Sequence, residues 1–121
     1  MKQEELTQKI IGCCFKVHRA LGPGFQERAY QRAVQLALSK AGVVFETEKR
    51  FSVRFEGTVV GDFQADLVVE EQVILELKAV TGIMPKVFES QVVSYLKASR
   101  LDVGLLVNFG NRSCEVKRLA A

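Results

Sequence analysis

Val73-Ile74-Leu75-Glu76-Leu77-Lys78-Ala79-Val80 is the stretch on which the reading of the fold turns. Its apolar residues occupy both alternating faces, the composition of a central strand covered by helices on each side. Two charges interrupt it. Glu76 and Lys78 are two apart, so they project from the same side as Ile74 and Val80. Burying a carboxylate and an ammonium costs on the order of several kcal/mol each unless they are paired or bound to an ion. A partner is therefore required.

Upstream, Phe63 to Val69 reads as a strand, and Glu70-Glu71-Gln72 as the tight polar turn between it and Val73. In such a hairpin, residues whose numbers sum to about 142 face each other, which sets Asp66 opposite Glu76. Two carboxylates side by side in a poorly solvated place repel, and a divalent cation removes the conflict. Oxygen-only donors suit Mg²⁺ or Mn²⁺ rather than zinc. The competing reading of the same residues is a buried Glu76–Lys78 ion pair, with Asp66 exposed at the hairpin.

Working outward, Leu6, Ile10, Cys13, Cys14, Val17 and Leu21 recur at helical spacing and predict a helix over about 5–21, stopped by Gly22-Pro23-Gly24. A second helix is expected over about 26–41, with Tyr30, Ala33, Val34, Ala37 and Leu38 on one face. Val43 to Glu46 reads as a short strand. Phe51, Val53 and Phe55 alternate with polar residues as a half-buried strand, and Thr58 to Val60 begins the return after Gly57. Beyond Val80, Gly82 and Pro85 break the chain. Lys86 to Ser99 is expected to be helical, Val103 to Phe109 a strongly apolar strand, and Ser113 to Leu119 a last strand. The predicted order is α-α-β-β-β-β-α-β-β, an α/β (α+β) chain with a mixed sheet flanked by helices.

At 121 residues, 48% hydrophobic and 26% charged, the chain is expected to form a single domain over 1–121 rather than a disordered segment. No apolar run approaches the roughly 20 residues of a membrane helix. The opening Met1-Lys2-Gln3-Glu4-Glu5 is too polar for a secretory signal, so a cytoplasmic protein is expected. A net charge of +3 admits a nucleic-acid partner without demanding one. Lys49-Arg50 with Arg54, and Lys117-Arg118, are local basic groups that serve equally as solvated faces. Three cysteines without CxxC spacing indicate neither a disulfide framework nor zinc, and Cys13 and Cys14 fit an apolar helix face.

Four further residues invite a functional reading beside a plain one. Gln91 and Tyr95 share a face of the third helix. An amide on an apolar face needs a partner, which a carboxylate site beneath would supply, or else Gln91 reaches water at the helix edge. Glu27 opens the second helix, where the helix dipole alone favours a carboxylate. His18, the only histidine, is a structural residue or a site residue.

Gly24-x-x-Glu27-x-x-Tyr30 resembles the signature of the small GxxExxY proteins of the PD-(D/E)XK nuclease superfamily. Similar to that family are also Val17-His18-Arg19-x-Leu21-Gly22-Pro23-Gly24-Phe25, Ala65-Asp66-Leu67, Glu76-Leu77-Lys78-Ala79-Val80 and Gln91-x-x-x-Tyr95. The resemblance spans about Leu6 to Leu119, and Ala65 stands where the motif has proline. It implies a restriction-endonuclease-like core and a Mg²⁺- or Mn²⁺-dependent nuclease, a phosphodiester hydrolase acting on DNA or RNA. Asp66 and Glu76 would be metal ligands, joined by the Leu77 carbonyl and Glu27. Lys78 would orient or activate the attacking water, and Gln91 would act in the catalytic site. Tyr95, His18 and Tyr30 would support the site or the nucleic acid, with Lys86, Lys97 and Arg100 tracking the backbone. Two other readings stay open: a nucleic-acid-binding or regulatory module without useful catalysis, and an assembly protein whose charged strand is an ion pair. The apolar Val103–Phe109 and C-terminal strands would suit a homodimer, with which a domain this small would grip DNA.

Overall fold

A computed structural model describes residues 3–121, so Met1 and Lys2 of the polar opening lie outside the described residues. Three helices and five strands follow one another: α1 (Glu4–Leu21), α2 (Glu27–Lys40), β1 (Phe45–Phe55), β2 (Thr58–Val69), β3 (Val73–Lys78), α3 (Val87–Ser99), β4 (Val103–Asn108) and β5 (Glu115–Ala120). The sheet runs β1-β2-β3-β4-β5. β3 and β4 are parallel, with α3 as the crossover, and the other pairs are antiparallel. This is the expected mixed α+β architecture.

The two faces of β3 divide the core as the opening stretch predicts. Leu75 and Leu77 pack with Ile10, Cys14, Val34 and Leu38 under α1 and α2. Ile74 packs with Val92, Leu96 and Leu106 under α3. Both faces are covered, which is why the strand carries so little polar sequence. Cys13 and Cys14 are buried thiols in the first layer, and desolvation pushes the Cys14 thiol far up.

Two expectations need correction. The segments read as separate strands before Gly57 are one strand, β1, and the segments after it are one strand, β2, so five strands replace six. β1 continues through Glu48, whose φ of 50° places it in the left-handed region. Pairing keeps its register across that residue, from Thr47↔Leu67 to Lys49↔Ala65. The ribbon nevertheless rolls over there: Phe45 and Leu67 pack in the α1–α2 layer, whereas Phe51, Val53, Phe63 and Ala65, of the same parity, pack in the α3 layer. A local break in burial pattern at Glu48 thus mimics a strand end in the sequence.

The second correction concerns the place of Val103–Phe109 in the sheet, not the homodimer itself. Val103–Phe109 is apolar because β4 is an interior strand between β3 and β5, buried along its whole length. β4 itself has no bare edge. The sheet's edges are β1 and β5, and β5 carries Lys117 and Arg118.

The β2–β3 turn has the expected position but unexpected residues. Glu70 and Glu71 both have positive φ, 54° and 57°, a conformation that usually selects Asn or Gly. Glu70 is held by two bonds to Val44: its N–H donates to the Val44 carbonyl, and its Oε2 accepts the Val44 N–H, each at 2.8 Å. Those bonds offset the strain.

Candidate active site

The site lies where β2 and β3 part. Their ladder runs Val69↔Val73, Val68↔Ile74, Leu67↔Leu75 and goes no further. The next pair in this register is Asp66 and Glu76, as the hairpin arithmetic places them. Here side chains replace the ladder: Glu76 Oε2 accepts the Asp66 N–H at 2.7 Å, and Asp66 Oδ2 accepts the Leu77 N–H at 2.9 Å. The roll of the β1–β2 ribbon frees these backbone groups, and the two carboxylates satisfy them.

The cost falls on the charges. Glu76 is only 5% exposed. Desolvation, reinforced by the neighbouring Asp66 carboxylate, raises its pKa to about 8. Burial also raises Asp66, against lowering contributions from the Leu77 N–H, Lys78 and a hydrogen bond from the Gln31 side chain. Glu27, half-buried at the start of α2, is raised by burial too, and Lys78 and Asp66 act on it. Two neighbouring carboxylates that both resist ionisation form a place where a cation would be worth more than at an ordinary surface.

Lys78 does not close an ion pair with Glu76, so the competing reading of these residues does not hold among the described residues. Its ammonium sits 4.3 Å from the centre of the Phe88 ring on α3, within electrostatic range of Glu27, Asp66 and Glu76. Asp66 is not exposed at the hairpin tip but half-buried three residues inside β2.

The remaining candidates divide. Tyr95 joins the site from α3. It stacks on Phe63 with ring centroids 4.0 Å apart, and burial, then Glu76 and Asp66, raise its phenol pKa. Gln91, one turn earlier, is exposed and has no side-chain hydrogen bond among the described residues, so it reaches water instead of the carboxylates. The amide that does reach Asp66 is Gln31 of α2.

Tyr30 and His18 have structural partners away from the carboxylates. The Tyr30 hydroxyl donates to the Gly22 carbonyl at 2.5 Å and accepts the Phe25 N–H at 3.2 Å, while its ring stacks on Phe109. The buried tyrosine thereby pins the loop that delivers Glu27, with Gly24 at φ 113° making the turn. His18 Nε2 lies 2.8 Å from the Asn111 carbonyl, fastening α1 to the turn after β4. Lys86 and Arg100 cap the two ends of α3, and Lys97 lies in its last turn.

Sequence reasoning missed Gln31, Glu48 and the pair Asn108 and Asn111. Gln31 was within reach, since it follows Glu27 by one helical turn. Glu48 acts electrostatically on Asp66 from across the ribbon, and nothing local in the sequence marks it. Asn108 brackets Val80 by accepting its N–H at 2.8 Å and donating to its carbonyl at 2.9 Å. Asn111 does the same to Gly82, at 2.8 Å each way. Both amides donate to Glu115 Oε1, so the chain leaving Lys78 is held by two side chains imitating a strand.

The residues can be tested against a metal ion. Among the described residues, no three His, Cys, Asp or Glu side chains form a group that could hold a metal by themselves. A closed all-protein cage is therefore the wrong description. Mg²⁺ is commonly held by one or two carboxylates, with water and substrate phosphates completing an octahedral shell. Asp66 and Glu76 fit that mode: hard oxygen donors, desolvated and mutually repelling.

A mixed sheet with two helices on one face and one on the other, and an acidic pair and a lysine where two central strands part, defines the nuclease-like α+β class. The chain belongs to the PD-(D/E)XK nuclease superfamily, whose family model matches residues 4–119. Nothing matches the chain among curated proteins or among solved structures. No helix among the described residues is long and apolar enough to cross a membrane.

Proposed function

We propose that the protein is a divalent-metal-dependent nuclease that hydrolyses phosphodiester bonds, with DNA as the first substrate to test and RNA as the second. The observation that carries this reading is the pair of desolvated carboxylates, half-buried Asp66 and buried Glu76, set beside Lys78 at the parting of β2 and β3. The GxxExxY signature at Gly24, Glu27 and Tyr30 supports a place in that branch of the superfamily.

In this reading Asp66 and Glu76 hold Mg²⁺ or Mn²⁺, with the Leu77 carbonyl and Glu27 as further donors. The bound ion would polarise a non-bridging phosphate oxygen and lower the pKa of a water. Lys78 orients that water or stabilises charge growing on the phosphate. Its position over the Phe88 ring restricts its motion without neutralising it. Gln31 holds Asp66, Tyr95 stands within electrostatic range of both carboxylates, and Gln91, exposed on α3, is available to an incoming strand. Such an enzyme acts in the cytoplasm, where its substrate lies.

The test is cleavage of labelled single-stranded, duplex and branched DNA, and of RNA, with Mg²⁺ or Mn²⁺. Wild type should cut at least one of them. Lys78→Ala should lose at least about a hundredfold in rate, the scale of one positioned catalytic group, while still binding metal. Cutting by Lys78→Ala at the wild-type rate would remove the role given to the lysine.

One observation favours a second reading. Each carboxylate already accepts a backbone N–H from the opposing strand, and no third acidic group completes a metal cage among the described residues. A nucleic-acid-binding or regulatory module that keeps the fold without useful turnover would look the same. It predicts nucleic-acid binding with no cleavage at any metal concentration.

A further inference from the structure

An open cleft of about 460 Å³ lies between α2 and β1, lined by Glu27, Arg28, Gln31, Arg32, Thr47 and Glu48 among others, and it adjoins the carboxylate site through Gln31 and Glu48, which both act on Asp66. α2 offers this cleft two parallel ridges. Glu27 and Gln31, one helical turn apart, are half-buried and act on Asp66. Arg28 and Arg32, also one turn apart, are exposed on the outer side. The cleft is therefore acidic at its inner end, where Glu27 and Glu48 act on Asp66, and basic at its outer rim.

Some cations of this chain are already engaged. Lys49 is paired with Glu46 at 2.9 Å, Arg50 with Asp62 at 3.4 Å, and Arg118 donates to Thr7 at 2.7 Å. Among the described residues, neither Arg28 nor Arg32 has a hydrogen-bond or ion-pair partner. Like charges at this spacing on a helix repel each other. An anion lying between them would relieve that repulsion, and guanidinium forks match phosphate oxygens.

We propose that Arg28 and Arg32 bind a backbone phosphate next to the one cut, so that the substrate strand runs from the Asp66–Glu76 centre outward along the α2–β1 cleft. This rests on the nuclease reading above. Arg28 and Arg32 act here as substrate-positioning residues and make no contact with the reacting atoms. The polarity of the cleft sets the order along the strand: the scissile phosphate needs the cation end, and its neighbour takes the arginines.

The experiment is equilibrium binding of labelled single-stranded DNA, single-stranded RNA and duplex DNA as a function of salt. It uses the full chain carrying Lys78→Ala with Mg²⁺ present, so that the strand is held without being cut. Adding Arg28→Ala and Arg32→Ala should weaken binding by about tenfold or more. The slope of log affinity on log salt should shrink by about two for duplex, or about one and a half for a single strand. Arg28→Lys with Arg32→Lys should restore most of that slope. Lys9→Ala with Lys16→Ala, which removes the same charge from α1, should change it less. A binding parent whose slope is unchanged by the arginine pair would overturn the assignment and leave the nuclease reading standing. A parent that binds none of the three nucleic acids would overturn both.

Discussion

Glu76 shows how far residue chemistry alone carries the reading. A carboxylate on an apolar strand needs compensation, and the structure gives it one backbone N–H and the nearby Lys78 charge, against a second carboxylate that opposes its ionisation. Its pKa is raised from 4.5 to about 8, so between those values the folded protein keeps a proton that the unfolded chain has lost. The stability from this group is full below about pH 4.5 and is lost as pH rises through about 8. Asp66 and Glu27, raised in the same direction, add to the trend. In EDTA, denaturant melts should show the protein losing stability between pH 5 and pH 9, and Glu76→Gln should flatten much of that loss. An equal loss in Glu76→Gln would mean that the burial of Glu76 is compensated by something else. Asp66, Glu76 and Lys78 were legible in the sequence because strand alternation and hairpin register are local rules. Glu48 was not, because its effect on Asp66 needs the ribbon pairing and a left-handed backbone that glutamate does not announce. The exposure of Gln91 was not legible for a related reason: helical spacing gives the face of a residue and not the depth at which that face ends.

Among the elements, two devices set the site, and each makes a prediction. The first is Tyr30, which anchors the Gly22–Phe25 loop and so the start of α2. Tyr30→Phe keeps the ring stacked on Phe109 but strands the Gly22 carbonyl and the Phe25 N–H. A loss of about 1–3 kcal/mol in urea unfolding is expected, the cost of unsatisfied groups, with faster amide exchange in 22–26. The second is the packing of Gly110 against the chain leaving β3. A Cβ at this position would lie 2.2 Å from the Val80 carbonyl oxygen, and backbone cannot step aside as a side chain does. Gly110→Ala should cost about 3 kcal/mol, at the upper end for overpacking, measured by the same unfolding. Were it neutral, the Asn108 and Asn111 brackets would not be holding Val80 and Gly82 in place. Helices α1, α2 and α3 were legible to within a residue or two, since apolar spacing and Gly-Pro stops define them. The strand count was not, because a ribbon that rolls over at Glu48 and Asp66 changes its burial pattern without ending. That roll is also what parts β2 from β3, so the feature that confused the strand count is the one that opens the site.

For the molecule as a whole, the α1–α2 layer, the sheet and the α3 layer meet at one point, and each supplies part of it: Glu27 and Gln31 from one side, Tyr95 and Phe88 from the other, Asp66, Glu76 and Lys78 from between. Superfamily membership fits this convergence, and the metal ion proposed above would give it a purpose. A ligand that binds only the folded state raises the melting temperature by mass action. The most direct measurement is the thermal melt of wild type and Asp66→Ala at pH 7.5 in EDTA and then in 10 mM Mg²⁺ or Mn²⁺, roughly the concentration needed to fill a site of millimolar affinity. The account predicts a rise of several degrees for wild type, the scale of about 1–2 kcal/mol in a domain of this size, and none for Asp66→Ala. Equal shifts in both proteins, or no shift in either, would contradict it.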